Sequence, residues 1–209
     1  MKNRKFSDYR SREPKLKAKP KILLSCEGET EKIYFNNFIK RNAPYILEFA
    51  LGNETDPVNL VKNLEKSIHK KGLDVELGDR AICILDTDTT KKRDKILKEA
   101  KEIALGNNIK MMFFSPSFEI WFLLHLTFTS SYMTNRELLK RLKQYIPSYT
   151  KTSNIYDQLA AKMKVAIRNA KRLKKFQEEN GKLLGSVEAN PYTDIYKLVE
   201  YLIRECESI

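Results

Sequence analysis

A chain of 209 residues, 42% of them apolar, can bury one sizeable core, so neither a disordered segment nor a small disulfide-stapled module is expected. No apolar run approaches the ~18 residues of a membrane helix, and the basic N-terminus is not followed by the apolar segment of a secretory signal. Three cysteines (Cys26, Cys83 and Cys206), odd in number and without metal-ligand spacing, exclude a disulfide frame and a zinc site; they read as reduced thiols and set the expectation of a cytoplasmic protein without a membrane partner.

The net charge of +12 is unevenly spread. Residues 1–20 carry +6 and residues 136–182 carry +9, while 21–135 are neutral and 183–209 are −3. A neutral segment flanked by two strongly basic ones suits a surface that binds phosphates, with nucleic acid as the expected partner. Solubilising Lys-rich faces are the plainer alternative.

In chain order, residues 1–19 lack hydrophobic periodicity and read as a mobile basic arm. Residues 21–26 predict a strand, and 30–41 a helix with Ile33, Tyr34, Phe38 and Ile39 at helical spacing and Thr30 as its N-cap. Tyr45–Leu51 reads as a second strand. Asp56 followed by Pro57 opens a helix that runs to about Lys71 and stops at Gly72. Ala81–Leu85, a helix over 91–105 and Lys110–Phe114 follow. Ser117–His125 is apolar nearly all round and reads as a buried helix that Ser117 caps. The rest predicts helices near 134–145, 153–179 and 192–205. The alternation implies an α/β fold: a parallel sheet of about four strands with right-handed crossovers, flanked by helices. The expected organisation is an arm (1–19), an α/β core (20–130) and a helical extension packed on it (131–209).

Three acidic motifs stand where apolar runs end. Lys21-Ile-Leu-Leu-Ser-Cys runs into Glu27-Gly-Glu-Thr-Glu31, Ala81-Ile-Cys-Ile-Leu into Asp86-Thr-Asp88, and Met111-Met-Phe-Phe through Ser-Pro-Ser-Phe to Glu119. Ligands of open parallel sheets gather at the carboxyl ends of the strands, and close carboxylates repel unless a cation lies between them. A divalent-metal site for phosphoryl transfer or phosphodiester hydrolysis is the economical reading. Glu31 lies one helical turn beyond Glu27. Asp86 and Asp88, at i and i+2, share a side in extended backbone; Asp-x-Asp suits Mg²⁺, which prefers oxygen ligands. Helix-terminus preference is the alternative for Glu31 and Glu119. His125 reads as structural and His69 as solvated.

With these motifs in view, Glu27-Gly-x-Thr-Glu31 and Asp86-x-Asp88 resemble the Toprim fold of topoisomerases, primases and overcoming-lysogenization-defect nucleases. Together with Ser-Pro-Ser-Phe-Glu-Ile-Trp-Phe-Leu-Leu-His and Asn190-Pro-Tyr-Thr-Asp-Ile-Tyr-Lys-Leu-Val, they resemble the RloB family over nearly all of 20–205. The resemblance implies a Toprim-like core, an ATPase encoded nearby as partner, and a place in restriction and abortive-infection loci. It implies that Glu27, Asp86 and Asp88 hold Mg²⁺, with Glu31 and Glu119 matching the acids of a second ion. Thr89-Thr90-Lys91 follows Asp88 where topoisomerases carry a third acid and a glycine, and no catalytic tyrosine motif is evident.

The expected activity is thus that of a metal-dependent nuclease, with one or two Mg²⁺ or Mn²⁺ ions, acting on DNA or RNA (tRNA included) as effector of a bacterial anti-phage defence system. Two cations ~4 Å apart activate a water and stabilise the leaving oxygen in such centres. Glu27, Asp86, Asp88 and Lys151 are the expected catalytic residues, Lys151 to neutralise phosphate charge; a plain surface lysine is the alternative. Lys164, Arg168, Lys171, Arg172 and Lys175 form one face of the 153–179 helix and are the expected nucleic-acid contacts. The opposite stripe, from Ile155 to Leu173, is expected in the core. Two further classes stay open: a non-catalytic Toprim-like adaptor that binds nucleic acid or the ATPase, and a nucleotidyl or primase-type transferase. No Walker-type loop is present, so any ATPase activity belongs to a partner. The sequence leaves a homo-oligomer open.

Overall fold

In the computed structural model, residues 19–52, 55–87 and 91–207 are described, without the side chains of 91–94. Residues 1–18 of the basic arm and Asp88 lie outside the described residues. Four parallel strands form most of the sheet: β1 (Lys21–Cys26), β2 (Ile46–Phe49), β3 (Arg80–Asp86) and β4 (Ile109–Ser115), in the spatial order β2-β1-β3-β4. The helices α1 (Glu29–Asn36), α2 (Pro57–Lys71) and α3 (Lys91–Gly106) connect them. The chain moves outward from β1 to β2 and returns to β3 on the other side of β1. The strand order therefore switches between β1 and β3, and ligands of doubly wound sheets bind at such a point.

Side-chain alternation divides the core. Ile22, Leu24, Ile82, Ile84, Met112 and Phe114 face the larger cluster, which includes Tyr34 and Phe35 of α1. Leu23, Ala81, Cys83, Leu85 and Phe113 face the other, covered by α2 and α3. Local chemistry sets α2 as its sequence predicts: Asp56 Oδ1 accepts from Asn59 N at 3.1 Å, Pro57 occupies the first turn, and Gly72 takes the left-handed conformation at φ 57°.

Beyond β4 the chain builds α4 (Glu119–Leu126), α5 (Asn135–Tyr145), α6 (Tyr156–Ala160), α7 (Met163–Glu179) and α8 (Ile195–Glu207). These helices bury their apolar faces in the larger cluster. The expected core stripe Ile155, Leu159, Met163, Ala166, Ala170 and Leu173 is buried throughout.

Three helices differ from expectation. The one expected over 30–41 ends at Asn36, and Ile39, expected on its apolar face, lies beyond it and is exposed. The helix expected over 153–179 is two helices, α6 and α7, separated at Ala161–Lys162. The helix expected from 192 begins at Ile195; Tyr192–Thr193 is instead a fifth strand, β5, antiparallel to β4 at Phe114↔Thr193 and Ser115↔Tyr192. Asp194 N donates to Phe113 O at 2.7 Å, and Thr193 Oγ1 accepts from Ile195 N at 3.2 Å. The segment expected to be wholly helical therefore adds a strand to the sheet. The result is an α/β fold with a five-stranded, mostly parallel sheet flanked by helices, in keeping with a Toprim-like arrangement. No described helix is long and apolar enough to cross a membrane.

Candidate functional site

The carboxyl ends of β1, β3 and β4 open on one cavity of about 330 Å³. Glu27, Glu31, Asp86, Glu119 and Lys151 all line it. Four of the five expected metal ligands and the expected catalytic lysine thus share one site, at the switch point between β1 and β3. The fifth ligand, Asp88, lies outside the described residues.

Each acid is held by its element. Glu27 directly follows β1, and Asp86 ends β3. Glu31, in the first turn of α1, is only 4% exposed. Its carboxylate lies against Gly28: a Cβ at residue 28 would stand 2.6 Å from Glu31 Oε2, so only glycine leaves the carboxylate that place. Glu119, at the first position of α4, is 2% exposed. Its helix is fixed by the aromatic side chains around it. Phe118, Trp121 and Phe122 pack on Tyr34 with ring centroids 5.5, 6.5 and 5.7 Å away. The Phe-Glu-Ile-Trp-Phe block therefore seats Glu119 by burying its neighbours on α1.

The caps read from sequence fall differently here. Thr30 does not cap α1, whose N-cap is Gly28; its hydroxyl donates instead to Lys151 O at 3.0 Å. Ser117 does not cap α4 either: Phe118 is the N-cap, and Ser117 Oγ is buried without a hydrogen-bond partner among the described residues.

Three residues of the site were not singled out from sequence: Tyr149, Thr30 in its actual role, and Gly28 as the seat of a carboxylate. Tyr149 Oη donates to Glu119 Oε1 at 3.1 Å in the core. Immediately after it, Thr150 and Ser153 close a tight turn, with Thr150 N donating to Ser153 Oγ at 2.9 Å and Ser153 N to Thr150 O at 3.0 Å. Lys151 and Thr152 form its exposed tip and line the cavity. The side-chain amides of Asn37 and Asn154 exchange bonds of 3.2 and 3.1 Å and pin the far end. The only signal in the sequence was the Ser-Tyr-Thr-Lys string itself.

The electrostatics follow from this crowding. Burial pushes the Glu31 carboxyl up to about 7, its own backbone N–H opposes this, and the charges of Glu119, Glu27 and Asp86 add to the rise. Burial also raises Cys83 to about 12, with Glu27 contributing, and raises Cys26, with Glu31 contributing. Both thiols are therefore neutral and inert at physiological pH. His125 is buried outside the cavity lining; its Nδ1 pairs with Trp121 O at 2.8 Å, and burial lowers it to about 4, as suits a structural, neutral imidazole. His69 is exposed.

The donor set fits a hard divalent cation: carboxylate oxygens, with no imidazole or thiolate in the cavity lining. Among the described residues, no three His, Cys, Asp or Glu side chains stand close enough together to hold a metal ion as they are. Asp88, the remaining expected ligand, is not among those residues.

The expected basic contacts Lys164, Arg168, Lys171, Arg172 and Lys175 are all exposed. They are not equivalent. Lys171 Nζ donates to Glu200 Oε1 at 2.5 Å, the Arg172 guanidinium stacks 3.8 Å above Phe128, and Lys175 lies 3.6 Å from Glu179 one turn on. Lys164 lines a separate groove between α7 and α8 with Glu200 and Arg204. None of the five lines the carboxylate cavity.

A mostly parallel sheet with acids at its topological switch point makes the chain an α/β protein; in open α/β sheets ligands bind at that edge. The family comparison is more specific. Residues 22–202 match the RloB-like protein family, and the chain belongs to that family. No curated protein and no solved structure matches it.

Proposed function

We propose that this RloB-like protein is a metal-dependent nuclease that hydrolyses phosphodiester bonds of DNA or RNA at the carboxylate cavity. The observation that carries the reading is the convergence of Glu27, Glu31, Asp86 and Glu119, from three strand ends, on one cavity that also holds Lys151. Glu27 and Asp86, together with Asp88, are the residues that would hold one Mg²⁺ or Mn²⁺; Glu31 and Glu119 would serve a second. Bound there, such ions supply a nucleophilic water and stabilise the leaving oxygen.

The chain's own residues supply the rest. Lys151, on its tethered turn, offsets charge on the phosphate. Tyr149 orients Glu119, and Gly28 leaves room for Glu31. The charges of Glu119, Glu27 and Asp86 disfavour ionisation of Glu31, and a cation bound among them would relieve that repulsion. Family membership supports the wider setting implied by the resemblance: an effector of bacterial anti-phage defence, acting with an ATPase partner.

The test is incubation of the purified chain with plasmid, single-stranded DNA and total RNA, in Mg²⁺, in Mn²⁺ and in EDTA. Cleavage with cation and none with EDTA is the expected result. Binding without cleavage under every condition, with or without the ATPase, turns the reading to an adaptor. Incorporation of labelled nucleotides turns it to a transferase.

A further inference from the structure

We propose that Tyr132 and the small cavity beside it form a nucleobase subsite, so that the carboxylate cavity receives an unpaired nucleotide rather than an intact duplex. The inference rests on the nuclease reading for its biological meaning but on separate residues for its evidence.

Tyr132 is 66% exposed, yet Met133 beside it is buried. The backbone here is fixed on the side that follows. Met133 N donates to Asn190 Oδ1 at 3.3 Å, and Asn190 Nδ2 donates back to Met133 O at 3.0 Å. Thr134 then caps α5 in a capping box with Glu137. Upstream in the same loop, Arg141 Nη1 donates to Thr129 Oγ1 at 2.8 Å. Isolated exposed aromatics are common and need no explanation. A large exposed ring next to a residue bonded through both its N–H and its C=O is different, because that neighbour limits the loop entropy lost when a ligand stacks on it.

Position supplies the second argument. A cavity of about 100 Å³, many times the ~10–15 Å³ that admits one water, lies against Tyr132 and is lined also by Ser115, Pro116 and Asn135. The next two residues of the same β4–α4 connection, Ser117 and Phe118, line the carboxylate cavity. Consecutive residues of one connection therefore line both cavities. Asn135 is exposed and offers amide donors and an acceptor to a base edge.

The ligand chemistry follows. An aromatic face accepts any base by stacking, without sequence preference, and only an unpaired base can leave its own stack to meet it. A strand entering this edge would place a base on Tyr132 and the neighbouring phosphate toward Lys151 and the acids.

The test is binding of fluorescein-labelled single-stranded DNA, single-stranded RNA and duplex DNA by the full chain, read by anisotropy in EDTA so that cleavage plays no part. Wild type should prefer single strands. Tyr132→Ala should weaken single-strand binding about 5- to 100-fold and leave duplex binding and the melting temperature unchanged, while Tyr132→Trp should retain single-strand affinity. The DNA and RNA arms identify the sugar. Unchanged single-strand affinity in Tyr132→Ala, an equal loss for duplex, or no binding of any strand by wild type overturns the subsite. If Tyr132 governs binding but no cation supports cleavage, the nuclease reading falls and the subsite stands; cleavage indifferent to Tyr132 gives the converse.

Discussion

Tyr149 and Glu119 lie thirty positions apart in the chain and meet in the core, the phenol donating to Glu119 Oε1 at 3.1 Å. The bond joins the turn that carries Lys151 to the helix that carries the most deeply buried acid of the site. Tyr149→Phe keeps the ring and removes the donor. A buried carboxylate that loses its partner costs about 1–3 kcal/mol, measurable by urea unfolding. Equal stability of wild type and variant would show that Glu119 finds no support from this hydroxyl.

Gly28→Ala tests the seat of Glu31. The backbone at 28 has φ −115°, open to any residue, so the substitution acts through space and not through strain. The added methyl would meet Glu31 Oε2 at 2.6 Å and displace it. The expected outcome is a small change in stability, about 1 kcal/mol or less, with a marked loss of the thermal stabilisation given by Mg²⁺ or Mn²⁺. Full retention of cation stabilisation would remove Glu31 from the ligand set.

Glu31 also sets a pH dependence. Its folded carboxyl titrates near 7, against 4.5 for the free side chain. Between those values the unfolded chain has lost a proton that the folded chain keeps. Stability should therefore fall as pH rises from about 4.5 to 7 and level off above, by an amount on the order of 3 kcal/mol. Glu31→Gln should flatten that decline when unfolding is followed in EDTA. Added divalent cation should oppose it in wild type, since binding favours the ionised form and releases the proton. A decline of the same size in Glu31→Gln would assign the titration elsewhere.

The exposed cations of α7 should divide into two groups. Lys171 is engaged with Glu200, and Arg172 lies over Phe128; their substitution should cost up to about 1 kcal/mol of stability each. Substituting Lys164 and Arg168 by Gln should leave stability alone, weaken nucleic-acid binding across sequences and reduce its salt slope by about 2. Unaltered affinity and salt slope would return these two residues to a solvated surface.

What the sequence made legible follows the range of the interaction. Asp56, Pro57 and Gly72 bound α2 through contacts within a turn, and both ends fall where read. The apolar runs became β1, β3 and β4, and their carboxyl ends placed the acids on one edge. What was hidden depends on distant partners. Thr30 looks like a cap but bonds Lys151, and Tyr149 meets Glu119 only once α5 has folded back. The break at Ala161–Lys162 has neither Gly nor Pro to announce it, and Leu159 and Met163, four residues apart, keep one inward face across it. A two-residue strand such as Tyr192–Thr193 has no periodicity to read; only pairing with β4 defines it.

The central claim is that the carboxylate edge is a cation-dependent phosphodiesterase centre. Single-turnover cleavage of a labelled single strand by wild type, Glu27→Gln and Asp86→Asn, in Mn²⁺ and in EDTA, addresses it most directly. Expected are cleavage by wild type in Mn²⁺ alone and a loss of about 10³-fold or more in each variant, as for removal of a group that acts in the transition state, with the folded state intact by circular dichroism. Cleavage in EDTA, or variants that cut as fast as wild type, would contradict it.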